Sequence, residues 1–334
     1  MSTLTQTDDN IVPRIEAAGE RLKRVHKAAA SVIFGQDLVI ERTLVTLLAG
    51  GHALLIGVPG LAKTLLVDTL GKVLGLDAKR IQFTPDLMPS DIIGSEVLED
   101  AQTPGARRSF RFIKGPIFAQ LLMADEINRA SPKTQSALLQ AMQEHHVTVA
   151  GQRHDVPQPF HVLATQNPLE QEGTYPLPEA QLDRFLLQID VHYPDHAAER
   201  RMLFATTGTE ERRVENVFTA AELLTLQRLV RQLPVPDKVV EAILTLVRKA
   251  RPGTGSGTET DRLISWGPGP RASQALMLAV RAKALVDGRL APSIDDVVHL
   301  AEPVLKHRMA LTFAARADGE TMTGVIGRLA KEIG

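Results

Sequence analysis

The chain of 334 residues contains no cysteine. That excludes disulfides, thiolate zinc sites, iron–sulfur clusters and thiol nucleophiles, and it fits a reducing compartment. There is no excess of positive charge either: 38 Lys and Arg stand against 39 Asp and Glu. A protein whose main partner is duplex DNA or RNA usually shows a basic surplus, so the composition weighs against one. No run is apolar for long enough to cross a bilayer. The most apolar stretch, 44–58, is short and is broken by two glycines and His52. The first ten residues, MSTLTQTDDN, have neither a basic nor an apolar leader region. The expectation is therefore a cytoplasmic protein without a membrane span. The ten histidines show no H-E-x-x-H spacing, and His145-His146 reads as a solvated helix end. Tryptophan occurs once, at Trp266, and tyrosine twice; Trp266 and Tyr175 read as isolated packing residues.

What remains is ordinary globular material, 44% hydrophobic and 23% charged, enough for two domains. Residues 1–12 read as a flexible tail. Helical apolar spacing follows in 13–33 and 37–50, separated by a Gly35-Gln36 turn. An apolar run at 53–56 reads as a strand, and a glycine-rich loop and a helix with Leu66, Val67, Leu70, Val73 and Leu74 on one stripe come next. Further strands are predicted at 81–84, 120–124, 161–165 and 185–191. Unbroken apolar strands alternating with helices indicate a mostly parallel sheet covered on both faces. Ser131 and Pro132 mark a helix start, with Leu138, Leu139 and Met142 on its buried stripe. Two inserts read as hairpins, 92–114 turning at Thr103-Pro104-Gly105 and 147–156 turning near Gly151. Beyond about 205 only helices are expected, at 219–233, 237–250, 272–287 and 294–310, with a Gly/Pro/Thr-rich loop at 251–270.

The strongest chemical signal is GVPGLAKT, residues 57–64. It fits G-x-x-x-x-G-K-[ST] between a strand and a helix, as a phosphate loop requires. The bare pattern arises by chance in roughly one chain of this length in a hundred. Gly57, Val58, Pro59, Gly60, Leu61 and Ala62 would turn backbone N–H groups toward phosphate oxygens at a helix N-terminus, with Leu65 at the loop's exit. Lys63 would reach the β- and γ-phosphates, and the Thr64 hydroxyl would ligate Mg²⁺. A second signal is an apolar strand ending in Asp125-Glu126. Asp125 would hold Mg²⁺, and Glu126 would position and activate the attacking water. A third is Asn167, after the strand 161–165, which either reaches the γ-phosphate or lytic water or simply turns the loop before Pro168. Arg107, Arg108, Arg111 and Lys114 surround Phe110 and Phe112. That hairpin reads as a solvated element, as a partner-contacting one, or as a single-strand binder.

These segments resemble the AAA+ ATPases, and their wording is closer still to the MoxR family. The matching stretches are IQFTPDLMPSDIIG (81–94), KGPIFAQLLMADEINRASPKTQSALLQAMQE (114–144), FHVLATQNPLEQEGTYPLPEAQLDRF (160–185) and GPGPRA (267–272). The resemblance implies a five-stranded parallel α/β ATPase domain over about 13–205 and a helical lid over 206–334, with ATP between them. It implies that 57–64 is Walker A, that Asp125 and Glu126 are the Walker B pair, and that Asn167 is sensor 1. Arg184 then matches the arginine finger that enters a neighbour's site, Arg271 the sensor 2 arginine of the lid, and Gly35-Gln36 the segment near adenine. On chemistry alone, Arg184 is equally a local partner of Asp183 or Glu179, and Arg271 an ordinary solvated arginine, although a cation at a helix N-terminus is easier to understand beside an anion. The family resemblance also implies ATP and Mg²⁺, a hexameric ring, a partner carrying a von Willebrand factor A domain, and protein clients to be matured or loaded with metal. A nucleic-acid motor, a metal-chelatase subunit and a nucleotide-gated scaffold are the rival readings.

Overall fold

The computed structural model describes residues 11–99, 109–170, 172–208, 214–253 and 258–334. Most of the expected tail, the hairpin turn at 103–105, Arg107, Arg108 and part of the 251–270 loop lie outside the described residues. Within them the chain begins with α1 (Ile11–Ala30), so Ile11 and Val12 are helical and not tail. Then come α2 (Asp37–Leu48), β1 (Ala53–Ile56), α3 (Lys63–Val73), β2 (Ala78–Gln82), α4 (Pro89–Ile93), β3 (Gly94–Glu99) and β4 (Ser109–Lys114). These lead to β5 (Leu121–Asp125), α5 (Pro132–Glu144), β6 (His146–Val149), β7 (Gln152–Asp155), β8 (His161–Gln166), α6 (Glu179–Leu182), β9 (Leu187–Asp190) and α7 (His196–Thr207).

Five strands form one parallel sheet in the order β2-β5-β8-β1-β9. Alternate residues of each strand feed opposite cores, as a two-residue period demands. Leu121 and Met123 of β5 join the cluster under α1, α2 and α3, while Leu122 and Ala124 join the cluster under α5. Register brings Gln82 beside Asp125, and Ile56 beside both Gln166 and Asp190. The C-terminal strand edge, where open α/β sheets bind ligands, is thus a row of polar ends. The two inserts are hairpins as expected, β3 with β4 and β6 with β7. They touch through Phe112, whose ring stacks on His154 at 4.0 Å.

The second half contains α8 (Ala220–Gln232), α9 (Asp237–Lys249), α10 (Thr258–Leu263), β10 (Ile264–Trp266), α11 (Pro270–Val286), α12 (Ile294–Leu305), β11 (Ala310–Leu311), α13 (Phe313–Ala317) and α14 (Met322–Lys331). It is not purely helical: β10 and β11 pair antiparallel. The helix expected over 294–310 stops at Leu305. Pro303 lies inside its last turn and removes a backbone donor, and residues 306–308 tighten into a 3₁₀ turn. Trp266 is 36% and Tyr175 46% exposed, so neither is a core residue. His145 ends α5 in the left-handed region and is solvated, as expected.

α11 packs against α1, α2, α8, α9 and α12. One apolar cluster therefore runs from Ile15 in α1 to Ala330 in α14. The helical part docks on the back of the α1/α2 layer. At the closest approach a Cβ on Gly19 would stand 2.6 Å from the Gly288 backbone.

Two histidines are fully enclosed at the other end of the strands. His52 accepts from the Val162 N–H at 2.9 Å, and His161 bridges the Gly51 carbonyl at 2.8 Å and the Gln227 side chain at 3.0 Å. Burial pushes His52 down to about 3 and His161 to about 4. Both stay neutral when folded but protonate near pH 6.5 when unfolded. The unfolded chain therefore binds more protons in that window, and stability is lost as pH falls from about 6.5 toward 4. Urea midpoints measured at pH 7 and pH 5 should drop at the lower pH, and the drop should shrink in His161→Gln; a midpoint unchanged between the two would contradict this.

Candidate active site

A cleft of about 730 Å³ opens at the C-terminal strand edge. Its floor is the loop between β1 and α3. Gly60 sits at φ +85°, a region open to glycine, and Ala62 is forced to φ 56° just before the helix. Lys63 is the first residue of α3, and its ammonium turns back to donate to the Gly57 carbonyl and, at 3.3 Å, to that of Val58. Burial pushes Lys63 down while Asp125 and Glu126 oppose the shift. Residues 59–65 all line the cleft. The geometry is a cradle of backbone donors at a helix N-terminus with one ammonium inside it, which fits a polyphosphate.

Across the cleft stand Asp125 and Glu126. Asp125 Oδ1 accepts from Thr165 Oγ at 2.5 Å, and its Oδ2 accepts from Arg80 Nη2 at 2.6 Å. Glu126 holds a strained φ of 54°, and Thr165 Oγ also takes the Glu126 N–H at 2.9 Å. The Glu126 carboxylate accepts from Gln82 Nε2 at 2.7 Å and Arg129 Nη1 at 2.9 Å. Asn167 is buried and lines the cleft. Its Oδ1 accepts the Leu169 N–H at 3.1 Å, so it turns the loop and leaves its amide nitrogen as the group it can offer. Thr64 and Asp125 are hard oxygen donors of the kind Mg²⁺ takes, and both face the same cleft. Among the described residues no other cluster of three or more ligating side chains could hold a metal.

The far end of the cleft is apolar, with Val32, Phe34, Pro194 and Met202 around Gln36. Gln36 is pinned by donating to the His192 carbonyl at 2.7 Å. Gly35, at φ +70°, lets the chain pass under α7, where a Cβ would meet Ala198 at 2.6 Å.

The two downstream arginines lie elsewhere. Neither Arg184 nor Arg271 lines the cleft, and among the described residues none beyond Thr206 does. The cleft therefore does not lie between the α/β part and the helices from α8 onward, because α8 and α11 pack on α1 and α2 instead. Arg184 pairs with neither Asp183 nor Glu179 but donates to the Leu139 carbonyl of α5. Arg271, second residue of α11, faces Asp183 at 3.8 Å. Arg80, Gln82, Arg129 and Thr165 are the site residues that reading the sequence missed. Placing the start of the second strand at 81, rather than at Ala78, hid the register that puts Arg80 and Gln82 on the carboxylates.

The chain is similar to known proteins along most of its length. Residues 52–187 match the model of the ATPase family associated with various cellular activities (AAA), and residues 256–326 match the AAA lid domain. Chaperone MoxR1 of Mycobacterium tuberculosis is 42% identical over 93% of this chain and 81% of its own length. Protein MoxR of Methylorubrum extorquens is 30% identical over 93% of this chain and 92% of its own. The chain belongs to the MoxR family of AAA+ ATPases. Among solved structures, a Cytophaga hutchinsonii protein described as an ATPase superposes with a TM-score of 0.88 at 36% identity, covering 96% of this chain and 97% of that one. This MoxR-family ATPase thus has the five-stranded parallel core and helical lid expected of it. No helix among the described residues is long and apolar enough to cross a membrane.

The bonds to Glu126 make a prediction. Gln82→Ala removes one of the two groups holding that carboxylate. A hydrogen bond to a charged group is worth about 1.5–3 kcal/mol, so basal turnover should rise about tenfold with ATP affinity unchanged. A turnover that falls would show that Gln82 aligns Glu126 rather than restraining it.

Proposed function

We propose that this MoxR-family ATPase works as a ring in which each cleft is completed by arginines of the next subunit, and that the ring remodels protein clients as a chaperone. The observation that carries this reading is the separation of Arg184 and Arg271 from their own cleft, with Arg271 facing Asp183, the residue next to Arg184 in the chain. A γ-phosphoryl group in transfer needs cationic partners. Among the described lining residues the cations are Lys63 and Arg80, and Arg80 is held by Asp125. The missing charge is therefore supplied from outside the chain.

In this reading the loop 57–64 binds the triphosphate and Lys63 swings from its own loop carbonyls to the β- and γ-oxygens. Thr64 and Asp125 would hold Mg²⁺, which neutralises charge on those oxygens. Glu126, once released by Gln82 and Arg129, accepts the proton of the attacking water. Asn167 orients that water with its amide, and Gln36 marks the adenine end. Loss of the γ-phosphate then shifts the contacts between subunits. The chaperone role is supported by the similarity to Chaperone MoxR1 of Mycobacterium tuberculosis. A partner with a von Willebrand factor A domain, a hexameric ring and metal loading rest on the family resemblance. The nucleic-acid reading has less support: Arg111 is paired with Glu99 at 2.8 Å, and the Phe112 face is already taken by His154.

Mixing tests the shared cleft. Homogeneous Lys63→Ala and Arg184→Ala preparations should each lose about 10³-fold or more in turnover. Combined, they should regain activity, because mixed rings contain intact clefts facing intact arginines. No recovery in co-assembled mixtures would contradict action in trans. Glu126→Gln should bind ATP normally and hydrolyse it far more slowly; normal hydrolysis would remove Glu126 from the role of base.

A further inference from the structure

The 3₁₀ turn after α12, Lys306–Arg308, reaches back to the α/β layer with all three side chains. Lys306 donates to Asp190 at the end of β9. His307 donates from Nε2 to the Phe185 carbonyl at 3.0 Å. Arg308 goes further, for its side chain is only 2% exposed and its whole guanidinium fork is used. Nε donates to Asp183 Oδ1 at 2.7 Å. Nη2 donates to the carbonyls of Asp183 at 3.2 Å and Phe185 at 2.6 Å, and Nη1 to the carbonyl of Leu186 at 3.1 Å and to that of Val304.

Burying a guanidinium is costly, and apolar side chains often stabilise such a site as well or better. What the planar fork adds is definition of geometry. Here that geometry is imposed on Asp183, Phe185 and Leu186, the residues on either side of Arg184. The same Asp183 carboxylate faces Arg271. α12, which leads into the turn, packs on α11, which begins with Pro270 and Arg271. One rigid connection therefore joins the helical unit to the backbone that carries Arg184.

We propose that Arg308 is a positioning residue for Arg184, a buried staple through which the helical unit sets that arginine's backbone and presents Arg184 and Arg271 together. The proposal rests on the reading of Arg184 as a group directed at nucleotide phosphate. It assigns the helical part a task other than covering its own nucleotide. Movement of that part carries both arginines at once.

Arg308→Lys keeps the charge and removes the fork. In the assembled protein with Mg²⁺ and saturating ATP, kcat per subunit should fall about 10²-fold, the usual cost of misplacing a reacting group by about 1 Å. Affinity for a fluorescent ATP analogue should stay within about twofold, because Arg308 touches no cleft residue. In an Arg184→Ala background the same substitution should cost less than about threefold, since Arg308 acts chiefly through Arg184 and only the share that passes through Arg271 is left to lose. A merely structural role would lower affinity and multiply with the Arg184→Ala loss. If Arg308→Lys does not fold, Asp183→Asn, which removes the ionic half of the staple and keeps the carbonyl, carries the same cycle. Unchanged kcat in the folded variant, or losses that multiply, overturns the proposal. Full kcat in Arg184→Ala would overturn the reading of Arg184 and this proposal together. Loss in Arg184→Ala with none in Arg308→Lys overturns the proposal alone.

Discussion

A triphosphate brings several negative charges into a small volume, and the cleft of this chain meets them with little positive charge of its own. The cradle supplies backbone dipoles and a single ammonium, Lys63, which in the present arrangement is spent on the carbonyls of its own loop. The neighbouring guanidinium of Arg80 neutralises Asp125, the oxygen donor suited to a metal. The carboxylates are held in paired, quiescent positions, Asp125 by Arg80 and Thr165 and Glu126 by Gln82 and Arg129. Two of the non-glycine residues with positive φ, Ala62 and Glu126, sit on opposite sides of the same gap, where the surrounding contacts hold a backbone conformation that costs free energy. In the proposed reading, the charge that completes the cleft comes from a neighbouring subunit.

That charge is gathered on another face. The segment after α6 carries Arg184, and the helical unit brings Arg271 and Arg308 to the carboxylate of Asp183. α11 does not line the cleft, because it is embedded between α1, α2 and α12 and shares their core. The 306–308 turn grips the end of β9 and the stretch before it through Asp190, Phe185 and Asp183. Nucleotide state in one cleft and the arginine face presented to the next can then be coupled through packed elements rather than through a flexible linker.

Much of this was legible in residue order. The phosphate loop announced itself by spacing, and the strand ending in Asp125-Glu126 by an apolar run stopped by two carboxylates. Both lie where expected because each depends on local chain geometry. The hairpins at 92–114 and 147–156 were readable from turn residues and alternation. The partners of the carboxylates were not, since Arg80, Gln82 and Thr165 reach them only through strand register, a long-range property that a boundary shift of three residues conceals. The placement of the lid was hidden for a similar reason: an amphipathic helix such as α11 declares that it is buried, not against which layer. Trp266 and Tyr175 show the limit of composition, for a lone aromatic reads as core until exposure is seen. Arg308 lay in a stretch read as plain helix, and nothing in Lys306-His307-Arg308 signals burial until α12 stops at Leu305 and the 3₁₀ turn sets His307 and Arg308 against the α/β layer.

The claim that the cleft is electrostatically incomplete within one chain has a direct measurement. Specific ATPase activity should be followed across a dilution series with Mg²⁺ present, while particle mass is recorded on the same samples. Activity per subunit is predicted to rise steeply as subunits associate and to be nearly absent where the mass is that of one chain. Activity per subunit that stays constant down to the single-chain mass would contradict the account.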